Sequence, residues 1–119
     1  MANKHIESKL QIACVKWFRY SFPLYKMLLC SVPNGLHTTP LQGAIAKAEG
    51  VVAGVADLML LVPTKQFHAL FIEMKTQQGR QSQSQKEWQE AVQQQGYKYA
   101  ICRSVEDFIK EINEYIYGE

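Results

Sequence analysis

The segment FIEMK, residues 71 to 75, sets Glu73 and Lys75 two positions apart inside an apolar run. Such a run reads as a buried strand, where each charge costs stability unless something pairs with it. Upstream, Asp57 opens a second β-rich run, DLMLLV (57–62), and PTKQ joins it to FHALFIEMK (67–75) as a hairpin. With the turn centred on Lys65, Asp57 falls opposite Glu73 and Val55 opposite Lys75. Directly opposed residues have Cβ atoms roughly 4.5–5.5 Å apart, so two acids meet at one end of the sheet.

Two carboxylates at 4 Å repel by about 1 kcal/mol in water and about 4 kcal/mol at an effective dielectric of 20. One lysine cannot neutralise both. A divalent cation can, and oxygen-only ligands select a hard one, Mg²⁺ with Mn²⁺ able to substitute. The glycines of GVVAGVAD (50–57) leave that end uncrowded, so a phosphodiester backbone could approach. Lys75 would then orient or deprotonate the attacking water, or stabilise charge on the phosphate. The competing reading is an edge-strand salt bridge between Lys75 and an acid, because D-x15-E-x-K uses common residues. A salt bridge alone, however, needs no second acid facing the first.

The remaining elements must hold these residues in place. Residues 3–20 set Ile6, Leu10, Ala13, Cys14, Trp17 and Phe18 on one helical stripe, with Asn3 as cap and Pro23 as stop. MLLCSV (27–32) is a short strand ended by the turn signal PNG. LQGAIAKAEG after Pro40 is a helix closed by Gly50. TQQGRQSQ is an exposed loop, and Ser82 with Gln85, or Ser84 with Glu87, has capping-box spacing for a helix ending near Gln95 at Gly96. Trp88 reads as core. YKYAIC (97–102) is a strand, and Ser104 caps a last helix with Val105, Phe108, Ile109, Ile112 and Ile116 on one face. The order is α-β-α-β-β-α-β-α, one α/β domain over residues 1–119 with a sheet of about four strands flanked by helices.

The 119 residues carry a net charge of only +2, but unevenly. Residues 1–103 hold 12 Lys/Arg against 6 Asp/Glu, whereas residues 104–119 hold Lys110 against five acids. A basic body suits a polyanion, and each neutralised phosphate adds about 0.9 to the salt slope of affinity. Lys4, Lys9, Lys16 and Arg19 on the first helix, with Lys47 and Arg80, are the candidate contacts. Cys14, Cys30 and Cys102 are widely spaced and read as free thiols in a reducing compartment. No apolar run is long enough to span a membrane, and the first residues lack a signal-peptide core, so a cytoplasmic location is expected. His5 and Glu7 spell H-x-E, but the PCxxC that a zinc deaminase needs is absent. His37 and His68 lack metal-ligand spacing and read as structural, with His37 also a candidate phosphate contact.

Together these residues resemble the PD-(D/E)xK nuclease superfamily, and within it the stand-alone VRR-NUC (virus-type replication-repair nuclease) domains of phages and bacteria. The likeness runs through HIESKLQ, PNG, GVADLMLL, FIEMK and GRQSQSQKEWQEAVQQQGYKYAICRS, the last being the most specific. The resemblance implies a restriction-endonuclease-like core with a mixed sheet. It makes Asp57 and Glu73 the metal-binding acids, Lys75 the catalytic lysine and Glu7 a helical acid facing the metal. It also makes Gln85 the glutamine opening the next helix, and the Met74 carbonyl a further metal ligand. Ala56 stands where the family motif has proline, a difference in backbone shape rather than chemistry. The implied activity is Mg²⁺-dependent cleavage of DNA, branched forms such as Holliday junctions in particular, by a homodimer without a nucleotide cofactor. The apolar stretch FPLYKMLL is the candidate dimer contact. A flap or nicking nuclease, a non-cleaving DNA-binding module and a metal-free interaction protein are the alternatives.

Overall fold

A computed structural model describes residues 2–33 and 39–118, with side chains from His5 onward. The Asn34–Gly35 turn, His37 and the Lys4 side chain lie outside the described residues. The elements are α1 (Ala2–Ser21), a 3-10 turn (Pro23–Leu28), β1 (Leu29–Ser31), α2 (Pro40–Ala48), β2 (Leu58–Leu60), β3 (Leu70–Met74), α3 (Gln83–Gln94), β4 (Lys98–Cys102) and α4 (Val105–Tyr117). The expected order holds, with the 3-10 turn added where Met27 and Leu28 were expected to be strand. Helix α1 begins at Ala2, so Asn3 lies within its first turn and is not its cap.

The sheet has the order β1-β2-β3-β4, antiparallel up to β3 and parallel between β3 and β4. Leu58 pairs with Ile72, Met59 with Phe71 and Leu60 with Leu70, the register centred on Lys65. The strands are shorter than expected because the backbone of the connecting segment finds other partners. Thr64 Oγ1 accepts from the Gln66 and Phe67 N–H groups, and the Tyr115 hydroxyl donates to the Val62 carbonyl. Once those groups are satisfied the ladder has nothing left to extend it.

Side chains alternate along β3 and so divide the molecule into layers. Leu70, Ile72 and Met74 join Cys14 and Phe18 of α1 and Phe108 and Ile112 of α4 in one buried cluster. Phe71, on the opposite face, meets Trp88 of α3 edge-on, with ring centroids 4.8 Å apart. Helices α1 and α4 therefore cover one face and α3 the other. Burial in α1 starts late: Ile6 is 53% exposed and Ala13 is exposed, whereas Cys14 and Phe18 are fully buried. The early turns flank a groove instead of the core. Ser104 caps α4 by accepting from the Asp107 N–H, and Gly118 closes that helix with φ +76°. All three cysteines are free thiols, and burial pushes Cys14 and Cys102 up to about 12. No described helix is long and apolar enough to cross a membrane.

Candidate active site

Glu73 faces α3 and is completely buried, the one charged residue in the described core. One carboxylate oxygen, Oε1, accepts from the Tyr99 hydroxyl and from Gln81 Nε2 at 3.5 Å. Gln81 is itself held by Gln89, whose Oε1 lies 2.8 Å from the same amide nitrogen. The other oxygen, Oε2, has no hydrogen-bond donor, and Lys75 Nζ stands 3.7 Å from it. A buried carboxylate oxygen without a donor is expensive. Among the described residues the other such oxygen is Glu111 Oε2, which has Lys98 Nζ at 2.7 Å, so the Glu73 oxygen, with its lysine at 3.7 Å, is the more open acceptor.

Asp57 sits just before β2, where the ladder ends. Its carbonyl accepts from the Val32 N–H at 2.8 Å, and its side-chain Oδ2 accepts from the Met74 N–H at 2.7 Å. Asp57 thus reaches across the strand end to β3. In an extended strand a residue's N–H and C=O leave on the same side. The Met74 carbonyl therefore leaves β3 on the Asp57 side, while its side chain is in the core. The Asp57 carboxyl is held above its ordinary value of 3.8, chiefly by burial. The Met74 N–H works against that shift, Glu73 and Glu7 add to it, and Lys75 opposes it. The site is net acidic and stabilised by positive charge.

Glu7 and Asp57 line a groove of about 580 Å³ between α1 and the β1–β2 end of the sheet, and Lys16 and Arg19 line it further along α1. Glu73 and Lys75 do not form its wall, since one is buried and the other nearly so, at 12%. Among the described residues no three acid, imidazole or thiol groups close into a ready-made cage. Mg²⁺ asks for less: one or two carboxylates, with waters and substrate oxygens completing the octahedron. Asp57 with the vacant Glu73 oxygen fits that requirement, and all the donors are oxygen.

The other candidate residues make structural contacts or lie exposed. Gln85 closes the capping box of α3: its Oε1 accepts from the Ser82 N–H at 2.8 Å, and its own N–H donates to Ser82 Oγ. It is Gln81, from the loop expected to be merely exposed, that reaches Glu73. Lys9, Lys47 and Arg80 are exposed and lie off the groove wall. His68 packs edge-on against Tyr97 at 5.4 Å, away from the acids, and His5 is exposed. Of the two loop glycines, Gly50 has open space around it, but Gly54 does not clear room for a substrate. It has φ +86°, and a Cβ there would run into the Ser84 carbonyl and lie 2.8 Å from Gln85 N. Its lack of a side chain lets the segment that carries Asp57 dock on the start of α3.

The family model of the VRR-NUC domain matches residues 3–106. The chain belongs to that family. A solved structure described as a VRR_NUC domain protein superimposes with a TM-score of 0.81 at 23% identity, covering 93% of this chain and 88% of that one. At that identity the likeness shows the fold. No curated protein matches the chain at a significant level. A VRR-NUC domain is a nuclease of the PD-(D/E)xK type, with DNA as its substrate, and domains of this type usually use divalent metals.

Besides Gln81, two residues that contact this VRR-NUC site escaped sequence reasoning. Tyr99 faces Glu73 only because β4 lies parallel to β3 in the register Phe71↔Tyr99 and Glu73↔Ile101. Arg103 donates to the carbonyls of Thr76 at 2.8 Å and Gly79 at 2.7 Å, pinning the loop between Lys75 and Gln81. Both contacts join residues far apart in sequence, where no periodicity signals them.

Proposed function

We propose that this chain is a Mg²⁺-dependent, structure-selective DNA endonuclease that cuts branched DNA, four-way junctions included, as a homodimer. The observation that carries the metal-dependent reading is the buried Glu73 Oε2, without a donor, beside Asp57 and Lys75. Asp57 and Glu73, with the Met74 carbonyl and with Glu7 at the groove, would hold the cation. When bound, the ion supplies positive charge to a phosphate oxygen and acidifies water. Tyr99 and Gln81 fix the Glu73 carboxylate through Oε1, and the Met74 N–H fixes Asp57 through Oδ2. Lys75 can orient the attacking water through a hydrogen bond, or stabilise charge on the phosphate, once Glu73 is engaged elsewhere.

For the dimer, support comes from Tyr20, Leu24 and Met27, which are 89%, 94% and 82% exposed around the 3-10 turn. Apolar surface of that kind is what a two-fold contact buries, and symmetric cutting of a junction needs two sites related by such an axis. The test is a panel of four-way junction, fork, flap and linear duplex at one salt concentration with Mg²⁺. Wild type is expected to cut the junction best, and Lys75→Ala to lose at least about a hundredfold, the usual worth of a positioned acid–base group. No cutting of any substrate with any divalent metal overturns the enzyme reading. A preference for flaps together with a monomeric mass by light scattering overturns the junction reading.

A further inference from the structure

The groove beside Asp57 is polarised along its length. Glu7 and Asp57 occupy one end and Lys16 and Arg19 the other, with Ser8, Gln11, Ile12 and Val15 between them along α1. Among the described residues the ion pairs are Lys75–Glu73 and Lys98–Glu111, so Lys16 and Arg19 carry their charge into the groove without an acid opposite. We propose that this groove is the track for the strand being cut, with Lys16 and Arg19 gripping its phosphates beyond the scissile one. The inference rests on the nuclease reading above and adds the path that the substrate takes.

The spacing fits a nucleic-acid backbone. At a rise of 1.5 Å per residue, Lys16 and Arg19 lie about 13 Å and about 18 Å from Glu7 along α1. Both distances exceed the span of a single nucleotide, so Lys16 and Arg19 would meet phosphates more than one step along the backbone from the one at Glu7. A mononucleotide cannot reach both ends of such a groove. An acidic peptide would offer carboxylates to Glu7 and Asp57 with nothing specific to bridge them. A phosphodiester chain resolves that conflict, because Glu7 and Asp57 would hold a divalent cation that offsets the charge of the phosphate at that end, while Lys16 and Arg19 would meet the distant phosphates. Metal and strand should therefore strengthen each other's binding, and by linkage the effect is reciprocal.

The experiment is equilibrium binding of a fluorescent forked oligonucleotide to the full chain, by anisotropy, over a salt series. It is done in EDTA, where nothing is cut. Lys16→Ala/Arg19→Ala is compared with wild type and with Lys65→Ala/Lys86→Ala, two exposed lysines off the groove. Alanine is a good helix former, so α1 tolerates the change. The groove variant is expected to bind more weakly and to lose about 1.4 to 1.8 from the slope of log affinity against log salt, two phosphates' worth. The control pair is expected to match wild type. An unchanged slope in the groove variant, or an equal loss in the control, overturns the proposal. Binding through the groove without cutting in Mg²⁺ would sink only the nuclease reading. Cutting with an unchanged salt slope would sink only the track.

Discussion

Replacing Gly54 by alanine should unfold this protein at a markedly lower temperature, although residue 54 lies in an irregular loop. Two costs combine. A φ of +86° is left-handed backbone, worth roughly 1–2 kcal/mol against an L side chain. The added Cβ also meets backbone rather than a flexible side chain, since the Ser84 carbonyl and Gln85 N are fixed in the first turn of α3. Overpacking of that kind costs roughly 1–3 kcal/mol. Against these, alanine stiffens the unfolded chain and returns about 0.4–1 kcal/mol. The net is about 1–4.6 kcal/mol, taking the costs and the return together. With unfolding entropy near 2.1 cal/mol/K per residue, each kcal/mol is worth about 4 °C in a chain of this length, so Tm should fall by about 4–18 °C. Thermal unfolding followed by circular dichroism, in buffer without divalent metal, measures it. Gly43→Ala is the control. That glycine lies inside α2 with nothing within 4 Å of its would-be Cβ, and the helix should gain about 1 kcal/mol. Equal Tm values for Gly54→Ala and wild type would refute the account of how residues 50–57 dock on α3. The placement of Asp57 would then need another cause.

Tyr99→Phe removes the hydroxyl that donates to Glu73 Oε1, leaving Gln81 at 3.5 Å as the remaining donor. Outer partners of a metal ligand are typically worth about 10–100-fold in affinity, so calorimetric Mn²⁺ binding should weaken by that factor. Undiminished Mn²⁺ affinity would reduce Tyr99 to a packing role against Trp88. Asp57 supplies a pH test of the metal-free protein. Its folded pKa is raised, chiefly by burial, so the folded chain binds the proton more tightly than the unfolded one. The stability this gives is full below the unfolded value near 3.9 and is lost as pH rises through the folded value. In EDTA, Asp57→Asn should therefore gain in Tm relative to wild type across that window and then hold level. A difference that stays constant with pH would contradict an unfavourable Asp57 charge.

Much of the fold was legible because it depends on local pattern. β-rich apolar runs either side of PTKQ gave β2 and β3, and the spacing of Phe108, Ile109 and Ile112 gave α4. The capping box at Ser82, Gly96 and the Ser104 cap marked helix ends. The turn centre at Lys65 fixed the β2–β3 register, and with it the placement of Asp57 at the same sheet end as Glu73. What the tertiary structure alone decided are contacts between segments whose separation carries no periodic signal. The parallel β3–β4 register brings Tyr99 to Glu73 and lets Arg103 staple the loop carrying Gln81. Packing of α3 over β3 removes Glu73 from water altogether, and Gly54 is needed because α3 stands against it. The alternation of FIEMK showed that Glu73 and Lys75 share a face. Only the closed layers determined that one Glu73 oxygen is held by Tyr99 and Gln81 while the other is left without a donor, because burial is a property of what other segments bring to a residue.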